Sequence, residues 1–253
     1  WVEGEVEDVV SLDDAMESIS FVFHCAAVVS FKKSDLNWIR KINVEGTANV
    51  VNCCLKYNVK KLCHVSSTAA IGGALDGGLI HEELKWTKEK NISNYSVSKY
   101  QAEMEVWRGM EEGLDAVIVN PSVIIGPGDW TATSSELFNT VWKGLKFYTT
   151  GKNAFVDVRD VVNCMTLLMN GNYTNSRFLV VSENWTFQQL FNSIANGLNK
   201  PLPSIKVKRW FLGLAWRLEN IRSAILNSTP VVTKETAQSS MEVKEYSNDK
   251  ITT

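Results

Sequence analysis

Short apolar runs alternate along this chain with longer segments whose apolar residues recur at helical spacing. Residues 21–27, Phe-Val-Phe-His-Cys-Ala-Ala, are rich in β-formers and end in small side chains. That is the pattern of a strand buried on both faces. Residues 61–65 and 116–120 read as further strands. Between the first two, residues 35–57 carry Leu36, Ile39, Ile42, Val50, Val51 and Leu55 at helical spacing. A second helix is expected from Tyr95 to about Glu112, with Gly113 as its C-cap. Upstream, residues 1–6 read as a short strand, and Ser11 with Asp14 three residues on reads as the capped start of a helix to about Ile19. Strands alternating with helices at this length predict parallel βαβ units and a doubly wound α/β sheet.

The pattern loosens after Asp129. Residues 130–150 are aromatic and helical, 154–158 extended, and 159–169 helical with Asp160 near the start as its cap; 178–181 read as a last strand and the chain from Trp185 as mostly helix. These shifts predict a larger α/β domain over residues 1–128 and 151–181, and a smaller lobe over 129–150 and 182–253. The basic, aromatic stretch 206–222 is amphipathic. It is read as packing on that lobe's own core rather than lying on a membrane surface.

Composition narrows the function classes. The 253 residues hold 26 Lys plus Arg and 28 Asp plus Glu, a formal net charge of −2 with no block of one sign. Nucleic-acid binding is not expected. Five cysteines, odd in number and without C-x-x-C spacing, read as free thiols in a reducing, cytoplasmic setting. The three histidines are scattered, so no metal site is expected, and no apolar run approaches the roughly 18 residues of a membrane span.

Candidate chemistry centres on Tyr95-Ser-Val-Ser-Lys99. Four residues apart on a helix, a phenol and an ammonium stand on one face. The cation is expected to lower the Tyr95 pKa toward the working range of a proton donor or acceptor. In an open α/β sheet ligands bind beyond the carboxyl ends of the strands. Three segments arrive there: Cys25-Ala26-Ala27, small enough for a flat ligand to approach the backbone; Ser66-Ser67-Thr68, which brings hydroxyls; and residues 121–128, a restricted turn. A hydroxyl, a phenol and an ammonium converging on one sheet edge are the parts of a hydride-transfer site.

With these motifs in this order, the chain resembles the extended short-chain dehydrogenase/reductases, or NAD-dependent epimerase/dehydratase family. The matching stretches are residues 22–27, Asn43-Val-Glu-Gly-Thr47, Val65-Ser-Ser-Thr68, Tyr95 to Lys99 with Ala102-Glu103, Asn120 to Gly128, and Phe155-Val-Asp-Val-Arg-Asp160. Residues 23–31 look most like the dihydroflavonol-reductase and 3β-hydroxysteroid-dehydrogenase branch. The resemblance implies Tyr95 as general acid/base and Lys99 on the nicotinamide ribose. It implies Ser67 as orienter of the substrate oxygen. NAD or NADP would lie against Glu5, Val6, Cys25, Ala26, Ala27, Ser66, Pro121 and Val123, with Asn43 ordering the helix behind. Thr68, Val29 and Trp130 are the expected substrate contacts.

The implied function is an NAD(P)-dependent oxidoreductase interconverting a ketone and a secondary alcohol on a small molecule. The alternatives are a nucleotide-sugar epimerase or dehydratase, and a non-catalytic NAD(P)-binding regulator. Family habit adds a homodimer through the helices over residues 35–57 and 95–112. The family's G-x-x-G-x-x-G turn is not found in this sequence. About 60–75 residues are therefore expected to precede Trp1, the usual size of two βα units.

Overall fold

The computed structural model describes residues 1–74, 77–87, 92–130, 133–208 and 239–252. It divides into two compact units: Trp1–Ser122 with Val158–Val180 and Ser247–Thr253, and Val123–Asp157 with Val181–Tyr246.

The first unit is built on four parallel strands, β1 (Phe21–His24), β2 (Lys61–Val65), β3 (Ala116–Pro121) and a strand at Ser176–Val180, in that spatial order. The link from β1 to β2 is one continuous helix in three segments: α2 (Leu36–Arg40), a π-helical turn Lys41–Glu45, and α3 (Gly46–Lys56). The link from β2 to β3 is α4 (Asn94–Glu111). Helix α4 stops where Gly113 takes a φ of 101°, a conformation glycine enters at little cost. The Leu114 N–H then reaches Gly109 O at 2.9 Å and the Gly113 N–H reaches Met110 O at 3.1 Å, a Schellman closure. Helices α3 and α4 bury Val50, Val51, Cys54 and Val106 against Leu62, Ala116 and Ile118 of the sheet. The helix Val158–Asn170 packs on β2 and β3. The expected doubly wound parallel sheet is therefore present.

Local readings shift in three places in this unit. Residues 1–6 pair with no strand among the described residues, and Trp1 is fully exposed; apolar β-formers make a strand only where a ladder partner exists. The first helix, α1 (Val9–Met16), is capped by Asp8, whose Oδ1 accepts the Val10 N–H at 3.0 Å. Ser11 sits inside it and donates back to Asp8 O. Strand β1 is not buried on both faces: Phe21 and Phe23 are 50% and 46% exposed, because among the described residues β2 alone flanks β1.

In the second unit, β4 (Val123–Ile125) lies parallel to β6 (Lys152–Asp157), and β8 (Glu183–Thr186) is antiparallel to β6. The first unit's fourth strand, Ser176–Val180, is thus β7, and it is not the last: β8 follows, as does β9 (Ile205–Lys206), which pairs with β5 (Phe147–Tyr148). Pairing of β4 with β6 puts residues 123–128 and 151–157 in this unit rather than with the dinucleotide-type sheet. Val141 of α5 (Glu136–Trp142) packs with Phe155 and with Leu190 and Ile194 of α7 (Phe187–Gly197). Helix α6 is Val158–Asn170, with Asp160 in its first turn. Most of the amphipathic stretch 206–222 lies outside the described residues.

Packing of α3 on α4 yields a test. Alanine is better than glycine inside a helix by up to about 1 kcal/mol. At Gly109 the added Cβ would stand 2.5 Å from Val51 Cγ1, and such overpacking costs about 1–3 kcal/mol. Gly109→Ala is expected to lower the unfolding free energy in urea by about 1 kcal/mol. A gain in stability would show that the two helices separate freely.

Candidate active site

Helix α4 carries the central pair. Ser93 caps it, accepting the Ser96 N–H at 3.0 Å, and this places Tyr95 in the first turn and Lys99 one turn further on the same face. Lys99 is only 2% exposed, and its Nζ donates to Val65 O at the end of β2 at 2.9 Å. Burial pulls its pKa down to about 8, against the opposing charges of Glu103 and Cys25. Immediately after β2, extended backbone at Ser67 starts a short 3₁₀ turn, Thr68–Ala70, and Ser67 Oγ accepts the Ala69 N–H at 3.1 Å. The Ser67 hydroxyl also acts on the Tyr95 phenol, favouring its ionised form.

The sequence reading of Tyr95 needs correction on charge. Burial raises its pKa above the ordinary phenol value, and the Ser67 hydroxyl only partly offsets this. The Lys99 ammonium is turned to Val65 O, and the low-polarity setting disfavours phenolate.

Asn43 ties the site together from behind. It lies in the π-turn, which rotates its side chain relative to a regular helix. Its Oδ1 accepts the Val28 N–H at 2.7 Å, and its Nδ2 donates to Val28 O and to Ser98 Oγ, each at 3.0 Å. Ser98 in turn donates to Tyr95 O at 2.8 Å. One amide thus fixes the loop after β1 to the helix turn that carries Tyr95. That loop presents Val29, 53% exposed, and Phe31, whose ring meets the Tyr95 ring edge-on at 5.9 Å.

The other residues singled out from sequence scatter. Cys25, Ala26 and Ala27 are exposed beyond the end of β1, and Thr68 opens the 3₁₀ turn beside Ser67. Ser66 is buried and donates to Glu103 Oε2 at 2.8 Å, so its hydroxyl faces inward. Glu5 and Val6 join α1 and α3: Ser11 Oγ accepts the Glu5 N–H, and Val6 O accepts Asn49 Nδ2 at 3.0 Å. Pro121 is buried in β3 opposite Val180. Val123 and Trp130 belong to the second unit, where Trp130 stands 6.2 Å from Phe138 and 6.4 Å from Trp142.

Two groups escaped the sequence reading. His24 and His64 pair across β1 and β2 with ring centroids 5.0 Å apart, under 5% exposed. His24 Nε2 bonds Thr47 Oγ1 at 2.9 Å, and neither ring nitrogen of His64 has a partner. Burial, with the Lys99 charge, drops His24 to about 4 and His64 well below its usual value, so both rings are neutral at pH 7. The second group is a carboxylate network around Glu103, reaching Asn120 on β3 and Arg177 on β7. Glu103 was legible in part, as a carboxylate one turn beyond Lys99 on a buried face. Arg177 lies 74 residues further on and leaves no local signal.

The NAD dependent epimerase/dehydratase family model matches residues 1–180. A Synechocystis protein to which the name dihydroflavonol 4-reductase is attributed is 32% identical over 239 residues, covering 91% of this chain and 69% of that protein. Sterol demethylase protein B of Methylococcus capsulatus is 27% identical over 206 residues, and the chain spans 62% of its length. Among solved structures, that of gox2253 superposes with a TM-score of 0.81 at 28% identity, covering 98% of this chain and 76% of that one.

The histidine pair generates a pH prediction. A histidine held neutral in the fold is protonated first in the unfolded chain. Its contribution is therefore intact above about pH 6.5 and is lost as pH falls toward 4. For His24 alone the loss is roughly 3 kcal/mol by pH 4. His64→Leu removes one of the two groups at similar volume. It is expected to leave stability at pH 7 within about 1 kcal/mol and to flatten the decline below pH 6.5, read by denaturant titration across pH. An unchanged slope would show that His64 is protonated in the folded protein.

Proposed function

The chain belongs to the NAD dependent epimerase/dehydratase family, and from that premise we propose that it reduces the carbonyl of an apolar, ring-bearing ketone to a secondary alcohol with a nicotinamide cofactor. The observation that carries this reading is the Tyr95 phenol one helix turn from the buried Lys99, which is bonded to the strand end that leads into Ser67, with the Phe31 ring against the phenol's edge. The cofactor supplies the hydride when bound. Lys99 spends one ammonium donor on Val65 O and retains donors for ribose hydroxyls, and the exposed Ala26 and Ala27 let a flat group lie close to the backbone. These features suit a nicotinamide riboside.

Each side chain has one task. Ser67 donates to the substrate oxygen and orients it. Tyr95 delivers the proton to that oxygen as charge develops there. A phenol pKa raised by burial keeps the proton on Tyr95 at neutral pH, which suits the reductive direction. The Lys99 charge eases proton loss, so reduction weakens as Lys99 deprotonates. Val29 and Phe31 offer apolar surface beside the reacting oxygen, and this favours a ketone with a ring over a sugar nucleotide.

The test is a panel of aryl and alicyclic ketones with NADH and NADPH. Net cofactor oxidation supports a reductase; turnover of a nucleotide sugar without it would put an epimerase in its place. Tyr95→Phe is expected to cut kcat by at least about 100-fold with folding intact by circular dichroism. Phe31→Ser should raise KM for apolar ketones about tenfold while kcat changes less. The reductive rate should fall as pH rises through about 8, the Lys99 value.

A further inference from the structure

Glu103 is fully buried on the same face of α4 as Tyr95 and Lys99. Its carboxylate is met by four donors from three strand segments and its own helix. Oε2 accepts from Ser66 Oγ and Asn120 Nδ2, each at 2.8 Å. Oε1 accepts from Arg177 Nη1 at 2.9 Å and from Trp107 Nε1 at 3.3 Å. Asn120 uses its second amide hydrogen on Ser67 O at 3.0 Å. Arg177 is held in turn by Glu82 O and Leu84 O. The Ser66 hydroxyl is thus gripped by Glu103 directly, and the Ser67 carbonyl through Asn120.

We propose that Glu103 is a positioning residue, which clamps the Ser66–Ser67 strand end so that the Ser67 hydroxyl stays on the Tyr95 phenol, and which holds Lys99 in its cationic form. This rests on the Tyr95, Lys99 and Ser67 reading above and adds a residue that touches neither substrate nor cofactor. The charges around Lys99 support it. Facing Lys99 are His24 and Cys25 from the β1 end, His64 from β2, and Tyr95 and Glu103 from its own helix, with Arg177 of β7 behind Glu103. Both imidazoles are neutral near pH 7 and partial desolvation raises the Cys25 thiol, so near neutrality Glu103 is the carboxylate in this set that opposes desolvation of the ammonium.

The experiment reads Lys99 directly, by 13Cε NMR titration of lysine-labelled protein, with Lys99→Arg assigning the resonance. Glu103→Gln keeps the shape and removes the charge. It should move the Lys99 midpoint down by about one pH unit. Arg177→Gln leaves the carboxylate uncompensated and should move the midpoint up. Opposite signs from two changes at one hydrogen bond separate charge control from general loosening, which would shift both the same way. If Glu103→Gln does not fold, Arg177→Gln is read against Arg177→Lys, which keeps the charge: charge control raises the midpoint in the first only, and a rise in both overturns the proposal. On an active substrate, Glu103→Gln should lose about fivefold in rate at pH 8 and recover near pH 6, with KM little changed. A Lys99 midpoint unmoved by the variants, or moved the same way by both, overturns the proposal. A shifted midpoint with no ketone turnover overturns only the reductase reading.

Discussion

An ammonium and a carboxylate buried one turn apart on a single helix face constrain this fold. Lys99 is 2% exposed and Glu103 fully buried. Neither is tolerable in a protein interior unless it finds polar partners there. Those partners are Val65 O at the end of β2, Ser66 just beyond, Asn120 at the end of β3 and Arg177 on β7. Those partners reach α4 together because β2, β3 and β7 are parallel neighbours in the sheet. The sheet order of the first unit is therefore also the arrangement that neutralises its buried charges. Removing one partner would strand another, so the strand ends that form the site are held by interactions the core needs anyway.

A second constraint works from the other side. The Leu36–Lys56 helix loses its regular hydrogen-bond register for one turn at Lys41–Glu45. The irregularity gives the Asn43 amide a position from which it satisfies both backbone groups of Val28 and one hydroxyl of α4. The loop after β1 is short of backbone partners of its own, so this side chain acts as its missing strand neighbour. Glu103 behind and Asn43 in front leave Tyr95, Ser67 and the loop bearing Val29 and Phe31 little room to drift. Preorganisation of this kind is what a proton donor and an orienting hydroxyl require to act on one oxygen.

Electrostatics inside this frame is dominated by desolvation. It lowers Lys99 to about 8, drops His24 to about 4, and raises Tyr95 despite the nearby cation. The phenol is thus better suited to hold a proton than to shed one. The residues that temper this, Ser67 toward Tyr95 and Glu103 toward Lys99, are those that also fix the geometry. Position and charge at this site thus share residues.

The sequence by itself determined the alternation of strands and helices, the parallel sheet and the family. Each of these rests on periodicity or on motifs within a few residues, such as Tyr95 with Lys99, Asn43 with Thr47, and Val65 to Thr68. Local chemistry also marked Ser67 and Lys99 as neighbours of a common strand end. What the tertiary structure decided is everything that depends on who lies alongside. Phe21 and Phe23 read as core and stand at an edge, because a strand's burial is set by its flanking strands. Residues 1–6 read as a strand and have no ladder. Ser66 and Ser67 are chemically equivalent in sequence; the pleat turns one toward Glu103 and the other toward Tyr95. The sign of the Tyr95 shift followed the same logic. Spacing says that a cation is near, but only the packed structure says how much water has left, and here the lost solvation is the larger effect.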